Sequence, residues 1–247
     1  MVLSNAINKE SPLPLYYQLK ELIKKEIEKG NLKPEEMIPS ERDLGEKFEI
    51  SRPTVRQAIN ELVNEGVLSR KKGLGTFVAK PKISQEFLEN LTSFQNEMKS
   101  KGLPYSTKVI ELKEVSTTPE LESVFGTDYS TFIFMKRLRY IKDNPVVVVS
   151  TYIPKALAPG LINEDLTNVS LYETLQTKYN LKIQRAKRVM EAMVASEEDS
   201  KWLELEKVSA VMFIKTTGFL DDNRVFEFSL ARYRGDLTNF TVNLSIQ

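Results

Sequence analysis

Two arginines, Arg137 and Arg139, are separated by one residue in the segment TFIFMKRLRYIKDNPVVVVSTYIP. The residues KDNP near its middle predict two strands joined by a tight turn. Side chains two positions apart on a strand point to the same side of the sheet, so both guanidinium groups face one way. Like charges this close repel each other unless an anion or a carboxylate lies between them. The pair could therefore hold an anionic ligand; the alternative is an ordinary pair of surface arginines.

Two predicted helix starts offer backbone N–H groups that an anion could use. In SLYETLQTKYN, Ser170 and Glu173 have the spacing of a capping box, and Tyr172 adds a hydroxyl in the first turn. In LTSFQNEM, Ser93 and Phe94 stand where a helical pattern begins. The free N–H groups and the dipole of a helix favour an anion at this end. The sequence alone leaves open whether these pieces meet the arginine pair or are ordinary helix caps.

A third group of polar residues occupies the first turn of another predicted helix. SRPTVRQAINELVNEG has apolar residues at helical spacing, a serine that can cap the helix and a proline in the first turn, where proline is tolerated. Arg52, Thr54 and Arg56 are then exposed at its N-terminal end. The guanidinium fork can bind a guanine edge or a phosphate with two hydrogen bonds. The alternative is that these arginines pair with Glu49 or Glu61 on the surface.

The elements around this helix predict a DNA-binding arrangement. PLYYQLKELIKKEIEKG has helical spacing and ends at Gly30, and PSERDLGEKF predicts a short helix capped by Ser40. A connection of about three residues between that helix and the next is typical of a helix-turn-helix. VLSRKKGLGTFVAK then predicts a hairpin, which would make the domain winged. Between Arg52 and Lys80 there are six basic residues and two acidic ones, which fits a DNA-contacting surface.

The glycines of KKGLGTFV raise a separate question, because a Gly-x-Gly can belong to a nucleotide-binding loop. Such a loop follows a strand, opens a helix and continues to a third glycine. Here the glycines join two strand-like arms after a predicted helix, and no third glycine follows. We therefore predict a tight wing tip that approaches DNA, with Lys71 and Lys72 near the phosphates.

Composition argues against several classes of function. The chain has 247 residues, of which 41% are hydrophobic and 28% charged, with a net charge of +1. It has no cysteine and no histidine, which removes the thiol nucleophile, the commonest general base and the commonest zinc ligand. No apolar run is long enough to span a membrane, and the first residues lack a signal-peptide pattern. We expect a cytoplasmic binding protein with no membrane partner, no catalytic residues, no metal and no cofactor; a carboxylate-based or lysine-based enzyme stays open.

The segments PLYYQLKELIKKEI and PSERDLGEKFEISRPTVRQAINELVNEGVLSRKKGLGTFV together resemble the N-terminal domain of GntR-family bacterial transcription regulators. The resemblance implies that this domain binds a double-stranded DNA operator. The DNA contacts that it implies fall on Arg42, Ser51, Arg52, Thr54, Arg56, Lys72, Gly73 and Gly75.

The second part of the chain has a different character, with strand pairs interspersed among short helices. This pattern is typical of an α+β domain with an antiparallel sheet. The order and spacing of LTSFQNEM, KRLRYIKDNPVVVVSTYIP, SLYETL and FEFSLARYRGD resemble the HutC-type effector domain, called UTRA, whose fold is similar to that of chorismate lyase. We therefore predict an α+β protein. It has a winged helix-turn-helix domain over residues 1–80, a linker over 81–88 and an effector-binding and dimerisation domain over 89–247.

This second resemblance also implies an effector site. In sugar-responsive members, the positions that match the arginine pair and the two helix starts bind the phosphate of a sugar phosphate. Glu227 and Tyr233 match positions at the sugar end of the pocket; for Glu227 the alternative is pairing with Arg232 or Arg234. The full set of implied effector-binding positions is Ser93, Phe94, Arg137, Arg139, Thr151, Ser170, Tyr172, Glu227 and Tyr233.

Val149 departs from the pattern of amino-sugar-phosphate sensors, which carry a glutamate at this position. A valine cannot accept a hydrogen bond, and a polar ligand group left unpaired there would cost about 1–3 kcal/mol. The hypothesis is that the phosphate end is retained and the sugar end altered, so that the effector is not glucosamine 6-phosphate or its N-acetyl form.

The interpretation that joins these features is a homodimeric repressor. It would bind an inverted-repeat operator with one winged domain per half-site, under the control of a phosphorylated sugar or related anionic metabolite. Two alternatives stay open. One is the same architecture sensing a phosphonate or an amino-acid derivative; the other, more remote, is an enzyme of chorismate-lyase type, because fold similarity does not establish chemistry. Whether the effector induces or corepresses also stays open.

Overall fold

The structure, a computed structural model, describes residues 7–71, 73–86, 91–206 and 208–243. The chain divides into two compact units, with the division between Lys82 and Ile83. Each unit has its own hydrophobic core. No helix within the described ranges is long and apolar enough to cross a bilayer.

The N-terminal unit contains three helices and a two-stranded antiparallel hairpin. Its elements are α1 (Leu15–Glu28), α2 (Glu41–Phe48), α3 (Arg52–Asn64), β1 (Leu68–Lys71) and β2 (Gly75–Val78). The predicted caps are present: Ser40 Oγ accepts a hydrogen bond from Asp43 N–H at 3.2 Å, and Ser51 Oγ accepts one from Thr54 N–H at 3.3 Å. Between the two helices, Glu49 adopts a left-handed conformation that ends α2. The helix-turn-helix prediction is therefore confirmed.

All three helices contribute to the core of this unit. Leu19, Leu44 and Leu62 are fully buried, and each such side chain stabilises the fold by about 1.5–3 kcal/mol. Gly45 allows α2 to lie close to the following turn, because a Cβ there would come within 3.2 Å of the Ile50 carbonyl oxygen. This packing holds the body of α3 in place and leaves its first turn exposed.

The C-terminal unit is built on a six-stranded antiparallel sheet, as the α+β prediction required. Its strand order is β4-β5-β6-β9-β8-β7. The elements of this unit are β3 (Ile83–Gln85), α4 (Phe94–Ser100), β4 (Tyr105–Ser116), α5 (Pro119–Phe125), β5 (Thr131–Ile141), β6 (Asn144–Pro154), a short 3-10 helix (Leu161–Asn163), α6 (Leu171–Tyr179), β7 (Arg185–Val194), α7 (Glu197–Leu203), β8 (Ala210–Phe219), β9 (Val225–Arg234) and β10 (Thr238–Phe240).

Helices cover both faces of this sheet. On one face, α5 packs on Phe132 and Phe228, and α7 packs on Leu138 and Val148. On the other face lie α4 and α6, whose buried side chains contact odd-numbered residues of β5 and β6. Arg137 and Arg139 are odd-numbered residues of β5, so they point towards α4 and α6.

The predicted linker needs a correction, because part of it is a strand. Ile83–Gln85, inside the expected linker over 81–88, pair in parallel with Thr238–Phe240. A run of three residues carries too little alternation to be recognised as a strand, and its partner lies near the other end of the chain. Residues 87 and 88 of the expected linker lie outside the described residues.

Candidate functional site

Eight of the nine predicted effector residues line one cavity of about 70 Å³ on the face of the sheet that α4 and α6 cover. The strand register sets its floor: Arg137 of β5 lies opposite Val149 of β6, which lies opposite Ala231 of β9. The predicted residues that line the cavity are Ser93, Phe94, Arg137, Arg139, Thr151, Tyr172, Glu227 and Tyr233. The structure thus brings together side chains from three strands and two helix starts.

Of the two arginines in this cavity, Arg137 is buried and Arg139 is half-buried, and neither is fully hydrogen-bonded among the described residues. Arg137 is 2% exposed. Its Nε and Nη1, and Nε of Arg139, have no hydrogen-bond partner among the described residues. Burial, and then the positive charge of Arg139, lower the pKa of Arg137 to about 9. Burial also lowers the pKa of Arg139. Because buried cationic N–H groups without acceptors are costly, an anion in this cavity would be strongly favoured.

Glu227 is the buried carboxylate of the cavity. Its Oε2 accepts a hydrogen bond from the Tyr172 hydroxyl at 2.7 Å. Burial raises the pKa of Glu227, and burial together with the Glu227 charge raises the pKa of Tyr172 well above its usual value. Arg232 and Arg234, the alternative partners of Glu227, form ion pairs with aspartates instead. Glu227 therefore belongs to the cavity and can accept a hydrogen bond from a ligand.

The start of α4 forms one wall. Ser93 caps the helix, with its Oγ accepting a hydrogen bond from Asn96 N–H at 3.2 Å. The ring of Phe94 lies 5.0 Å from the guanidinium carbon of Arg139, a cation–π contact. This contact keeps the second arginine beside the first.

The start of α6 forms another wall, but Ser170 is not among the residues that line the cavity. Ser170 is buried as the helix cap, and its Oγ accepts a hydrogen bond from Glu173 N–H at 3.3 Å. The next two residues, Leu171 and Tyr172, line the cavity in its place. Ser170 therefore orients the first turn that carries them.

One side of the cavity is apolar. Val149, Ile214 and Ala231 all line it and are all buried. None of these side chains offers a hydrogen bond, and Val149 sits directly beside Arg137 in the sheet. A ligand that binds here presents an apolar part, or no polar substituent, to this side.

Sequence reasoning missed several lining residues, of which Arg188 is the most consequential. It is a half-buried arginine on β7, opposite Thr216 of β8. Burial is the largest influence on the pKa of Glu227 and raises it, and the positive charge of Arg188 is one of the smaller influences that lower it. Only the register of β7 against β8 places Arg188 on the cavity face, and no pattern within β7 reveals that register. The other polar lining residues that were missed are Thr92, Gln95, Thr216 and Ser229.

The predicted DNA-contacting residues lie on the first turn of α3, on α2 and at the hairpin. Ser51 and Arg52 are exposed, and Ser51 Oγ lies 2.7 Å from Thr54 Oγ1. Arg42 is exposed on α2, with Nε 3.8 Å from Oε1 of Glu46 one turn later.

Glu41 links α3 to the wing. Its Oε2 accepts a hydrogen bond from Arg56 Nε at 3.0 Å, and its Oε1 accepts one from Arg70 Nη2 at 3.1 Å. The expected alternative partners are engaged elsewhere: Glu49 pairs with a lysine before α1, and Glu61 with a lysine of α1. Sequence reasoning missed Glu41, because its two partners follow it by 15 and 29 residues.

The hairpin has the tight tip that its glycines predicted. Leu74 N–H donates to the Lys71 carbonyl oxygen at 3.0 Å, which closes the turn. Gly73 and Gly75 have φ values of 75° and 125°, which residues with a side chain rarely adopt. The Lys71 ammonium lies 4.7 Å from the centre of the Phe77 ring. Lys72, also predicted to contact DNA, lies outside the described residues.

A winged helix-turn-helix unit followed by a sheet unit with a cationic cavity defines a ligand-binding transcriptional regulator. Residues 15–78 match the bacterial regulatory proteins of the gntR family, and residues 100–239 match the UTRA domain. The chain belongs to the GntR family and carries a UTRA effector domain, as in its HutC-type members.

Similar proteins agree with this assignment. The HTH-type transcriptional repressor NagR of Bacillus subtilis strain 168 is 41% identical over 235 residues, which are 95% of this chain and 96% of that protein. The mannosyl-D-glycerate transport/metabolism system repressor MngR of Escherichia coli K12 is 29% identical over 93% of this chain and 95% of its own length. The crystal structure of PhnF from Mycobacterium smegmatis shares the fold. Its TM-score is 0.66 at 23% identity, covering 94% of this chain and 99% of that one. The predictions of a GntR regulator, of its fold class and of a non-enzymatic function are confirmed.

Proposed function

We propose that this protein is a homodimeric repressor whose affinity for an inverted-repeat operator is controlled by a phosphate monoester, most simply a sugar phosphate. The arginine pair of the C-terminal unit would bind the phosphate, and the exposed first turn of α3 with the wing would bind the operator. Arg42, Ser51, Arg52, Thr54 and Arg56 are the proposed contacts on the two helices.

The observation that carries the effector class is the state of Arg137. Its guanidinium is buried in the cavity and two of its nitrogens have no acceptor among the described residues. Leaving a buried donor unsatisfied costs about 1–3 kcal/mol, more when it is charged. A phosphate offers several oxygens to such donors, and guanidinium–phosphate bonds are among the stronger hydrogen bonds.

The balance of charge supports a doubly charged ligand. Three arginines line the cavity (Arg137, Arg139 and Arg188) against the single carboxylate of Glu227. With all four groups ionised, the excess is two positive charges. A phosphate monoester carries a charge of about −1.5 to −2 at pH 7, which nearly neutralises this excess.

The other end of the cavity suggests what the rest of the ligand is like. Glu227 and Tyr172 form a hydrogen-bonded pair. This hydrogen bond can be replaced by one to a hydroxyl of a bound sugar. Val149, Ile214 and Ala231 supply an apolar wall in which an amine would find no acceptor. The relative named for a mannosyl-D-glycerate system supports a sugar derivative as the effector. We therefore favour a sugar phosphate other than glucosamine 6-phosphate or its N-acetyl form.

Calorimetric titration of the full chain tests this assignment. The ligands are inorganic phosphate, glucose 6-phosphate, trehalose 6-phosphate and the two amino-sugar phosphates, each sugar phosphate with its unphosphorylated sugar as the matched control. We expect a phosphorylated sugar without an amine to bind at least about a hundredfold more tightly than its control, since two charge-assisted hydrogen bonds are at stake. Tight binding of either amino-sugar phosphate would defeat the altered sugar end. Binding of a phosphonate or an amino-acid derivative, with none by any phosphate ester, would overturn the phosphate assignment.

The regulatory part of the proposal is tested by linkage. An effector changes DNA affinity only if it binds the DNA-competent and incompetent states with different affinity. If the effector releases the operator, bound operator must weaken effector binding by the same factor. Measuring effector affinity with and without a saturating operator duplex checks this equality, and an unchanged affinity would rule out allosteric control by that ligand.

A further inference from the structure

The cavity around the arginine pair is too small and too enclosed for a sugar phosphate to enter unless a wall moves. Its volume is about 70 Å³, whereas pockets for small-molecule ligands usually measure about 300–1,000 Å³. Arg137, on its floor, is almost completely buried. The side of the cavity that opens most easily therefore decides where a ligand enters and leaves.

A larger groove, of about 380 Å³, lies outside the cavity between α4 and α6. Its lining is mostly polar, with amide and hydroxyl groups from Asn96, Asn168, Thr174 and Thr177. Gln95, the second residue of α4, lines both this groove and the cavity. We call this space the α4–α6 groove; the Gln95 side chain is part of the wall that separates it from the cavity.

The Gln95 side chain is held in this wall by a hydrogen bond at one end only. Its Nε2 donates to the carbonyl oxygen of Val169, in the segment before α6, at 2.7 Å. Its Oε1 is buried and has no hydrogen-bond partner among the described residues. One hydrogen bond between neutral groups contributes little net stability, and a buried acceptor without a donor is unfavourable. Rotation of the amide towards the groove gives Oε1 access to water, so this part of the wall opens at low cost.

The backbone on both sides of this contact is anchored. Asn96 N–H donates to the side chain of Ser93, which caps α4. Asn168 Oδ1 accepts a hydrogen bond from Thr107 N–H at 2.7 Å, and this bond ties the segment before α6 to β4. Because both backbone segments are held, the wall opens by rotation of a side chain and not by unfolding of a helix.

The α4–α6 groove leads towards Arg139. Arg139 lies opposite Thr107 in the sheet, and Thr107 is bonded to the groove residue Asn168. The Phe94 ring, which lies 5.0 Å from the guanidinium carbon of Arg139, directly precedes Gln95 in the chain. An anion that passes Gln95 therefore meets Arg139 first.

The charges that line the groove favour anions. Lys99 and Lys178 supply two positive charges against the single carboxylate of Glu173. Such an excess in a concave region raises the local concentration of anions and the rate at which they associate. The groove thus attracts the class of ligand that the arginine pair is proposed to bind.

We propose that the α4–α6 groove is the entrance through which an anion reaches the arginine pair, and that Gln95 is its gate. The anion first collects beside Lys99 and Lys178. The Gln95 amide then breaks its bond to Val169 and turns aside, the anion passes to Arg139, and the bond forms again behind it. This inference rests on the proposed function, because it takes the cavity as an anion site.

Blocking the groove tests the entrance. The chain has no cysteine, so Asn96→Cys introduces a single thiol, at an exposed groove position, for labelling with a bulky maleimide. The probe is phenylglyoxal, which modifies guanidinium groups; peptide mass spectrometry gives the rate at Arg139, with the exposed Arg42 as internal reference. We expect the label to slow modification of Arg139 by at least about tenfold, because the reagent then depends on a rarer opening of the fold. Glu122→Cys with the same label, on α5 at the other face of the sheet, is the control and should leave the rate unchanged.

A second variant tests the gate. Gln95→Met fills similar space but cannot bond Val169, so the wall should open more often. We expect Arg139 to be modified about threefold to tenfold faster, which corresponds to the loss of one hydrogen bond. Gln176→Met, the same change at an exposed position of α6 outside the groove lining, is the matched control and should leave the rate unchanged.

The outcomes separate this inference from the proposed function. If the labels on Asn96→Cys and Glu122→Cys give equal rates at Arg139, the groove is not the entrance. If Gln95→Met leaves the rate unchanged, Gln95 is not the gate. Inorganic phosphate should protect Arg139 in the unlabelled parent; if it does not, the phosphate assignment is wrong, while the entrance is still decided by the rates without phosphate. Thermal unfolding of each sample identifies a variant that does not fold, and Thr177→Cys then replaces Asn96→Cys.

Discussion

The arginines of the two units are held in opposite ways. In the N-terminal unit Arg56 and Arg70 are 64% and 44% exposed at their side chains, and both bond the carboxylate of Glu41. In the C-terminal unit Arg137 is 2% exposed, and two of its nitrogens lack an acceptor among the described residues. Arg56 and Arg70 are solvated and already have a carboxylate partner, whereas Arg137 is desolvated and incompletely hydrogen-bonded.

The difference matches the size of the two proposed ligands. Exposed ion pairs are worth about 0–1 kcal/mol, so a DNA backbone can displace Glu41 at little cost, and salt will weaken the complex. A small anion makes few contacts, and each must therefore be strong. Burial provides this strength, because a charged hydrogen bond is stronger where water is excluded. In the protein without ligand, the buried guanidinium lacks hydrogen-bond acceptors among the described residues for two of its nitrogens, and this lowers the stability of the fold.

The largest expected effect is on ligand binding by Arg137→Met. Methionine fills similar space without a donor, so a phosphate would lose its central buried contact. We expect the affinity of the tightest phosphorylated ligand to fall by at least about a hundredfold, corresponding to two or more charge-assisted hydrogen bonds. Calorimetry measures the loss, and Lys136→Met, on the opposite face of the same strand, is the control. Unchanged affinity in the Arg137 variant would show that the cavity is not the phosphate site.

The same variant should raise stability in the absence of ligand. Replacing a buried, unsatisfied cation removes a penalty of about 1–3 kcal/mol. Thermal unfolding without ligand should therefore show a higher midpoint for Arg137→Met than for the parent. A lower midpoint would mean that Arg137 is satisfied within the free protein, and the contrast between the two units would fail.

The next effect concerns Arg52→Ala and Arg56→Ala, which should weaken operator binding while leaving effector binding intact. A bidentate contact to a base discriminates by about 1–3 kcal/mol, so we expect losses of about 10-fold to 100-fold. Affinity for an operator duplex and for a scrambled duplex, each at several salt concentrations, separates the two roles. A lost base contact lowers the preference for the operator, whereas a lost phosphate contact lowers the salt slope by about one.

Lys29→Ala, at the end of α1 and outside the predicted contacts, is the control for these two variants. If both arginine variants bind the operator as tightly as this control, the first turn of α3 does not contact DNA.

The same contrast explains what the sequence could and could not predict. The caps of α2 and α3 depend on residues three apart, so local spacing located the exposed arginines correctly. The arginine pair was found because alternation along one strand is also local. Arg188 and the placement of Val149 beside Arg137 were not accessible in this way, because each depends on the register between strands. Ile83–Gln85 were taken for linker because their partner strand lies about 150 residues later in the chain.

A smaller effect should appear in the pH dependence of phosphate binding. The second proton of a phosphate monoester leaves near pH 6, so affinity should rise several-fold between pH 5 and 7 as the dianion forms. Arg137, with a pKa of about 9, stays protonated over this range. Sulfate, which stays doubly charged throughout, is the control ligand. If the affinity for the phosphate monoester does not change between pH 5 and 7, the cavity does not prefer the dianion.

The smallest effect is expected for Glu41→Gln, and it tests the other side of the comparison. This change removes the charge shared by Arg56 and Arg70 but keeps an oxygen that can accept one hydrogen bond. Since exposed ion pairs contribute little, the free energy of unfolding should change by less than about 0.5 kcal/mol. Urea unfolding measures it, with Glu46→Gln on the exposed side of α2 as control. A loss above about 2 kcal/mol would mean that Glu41 holds the wing to α3 as a structural clamp. In that case the exposed Arg56 and Arg70 would stabilise the fold through Glu41, whereas the arginine pair of the cavity does not stabilise the fold.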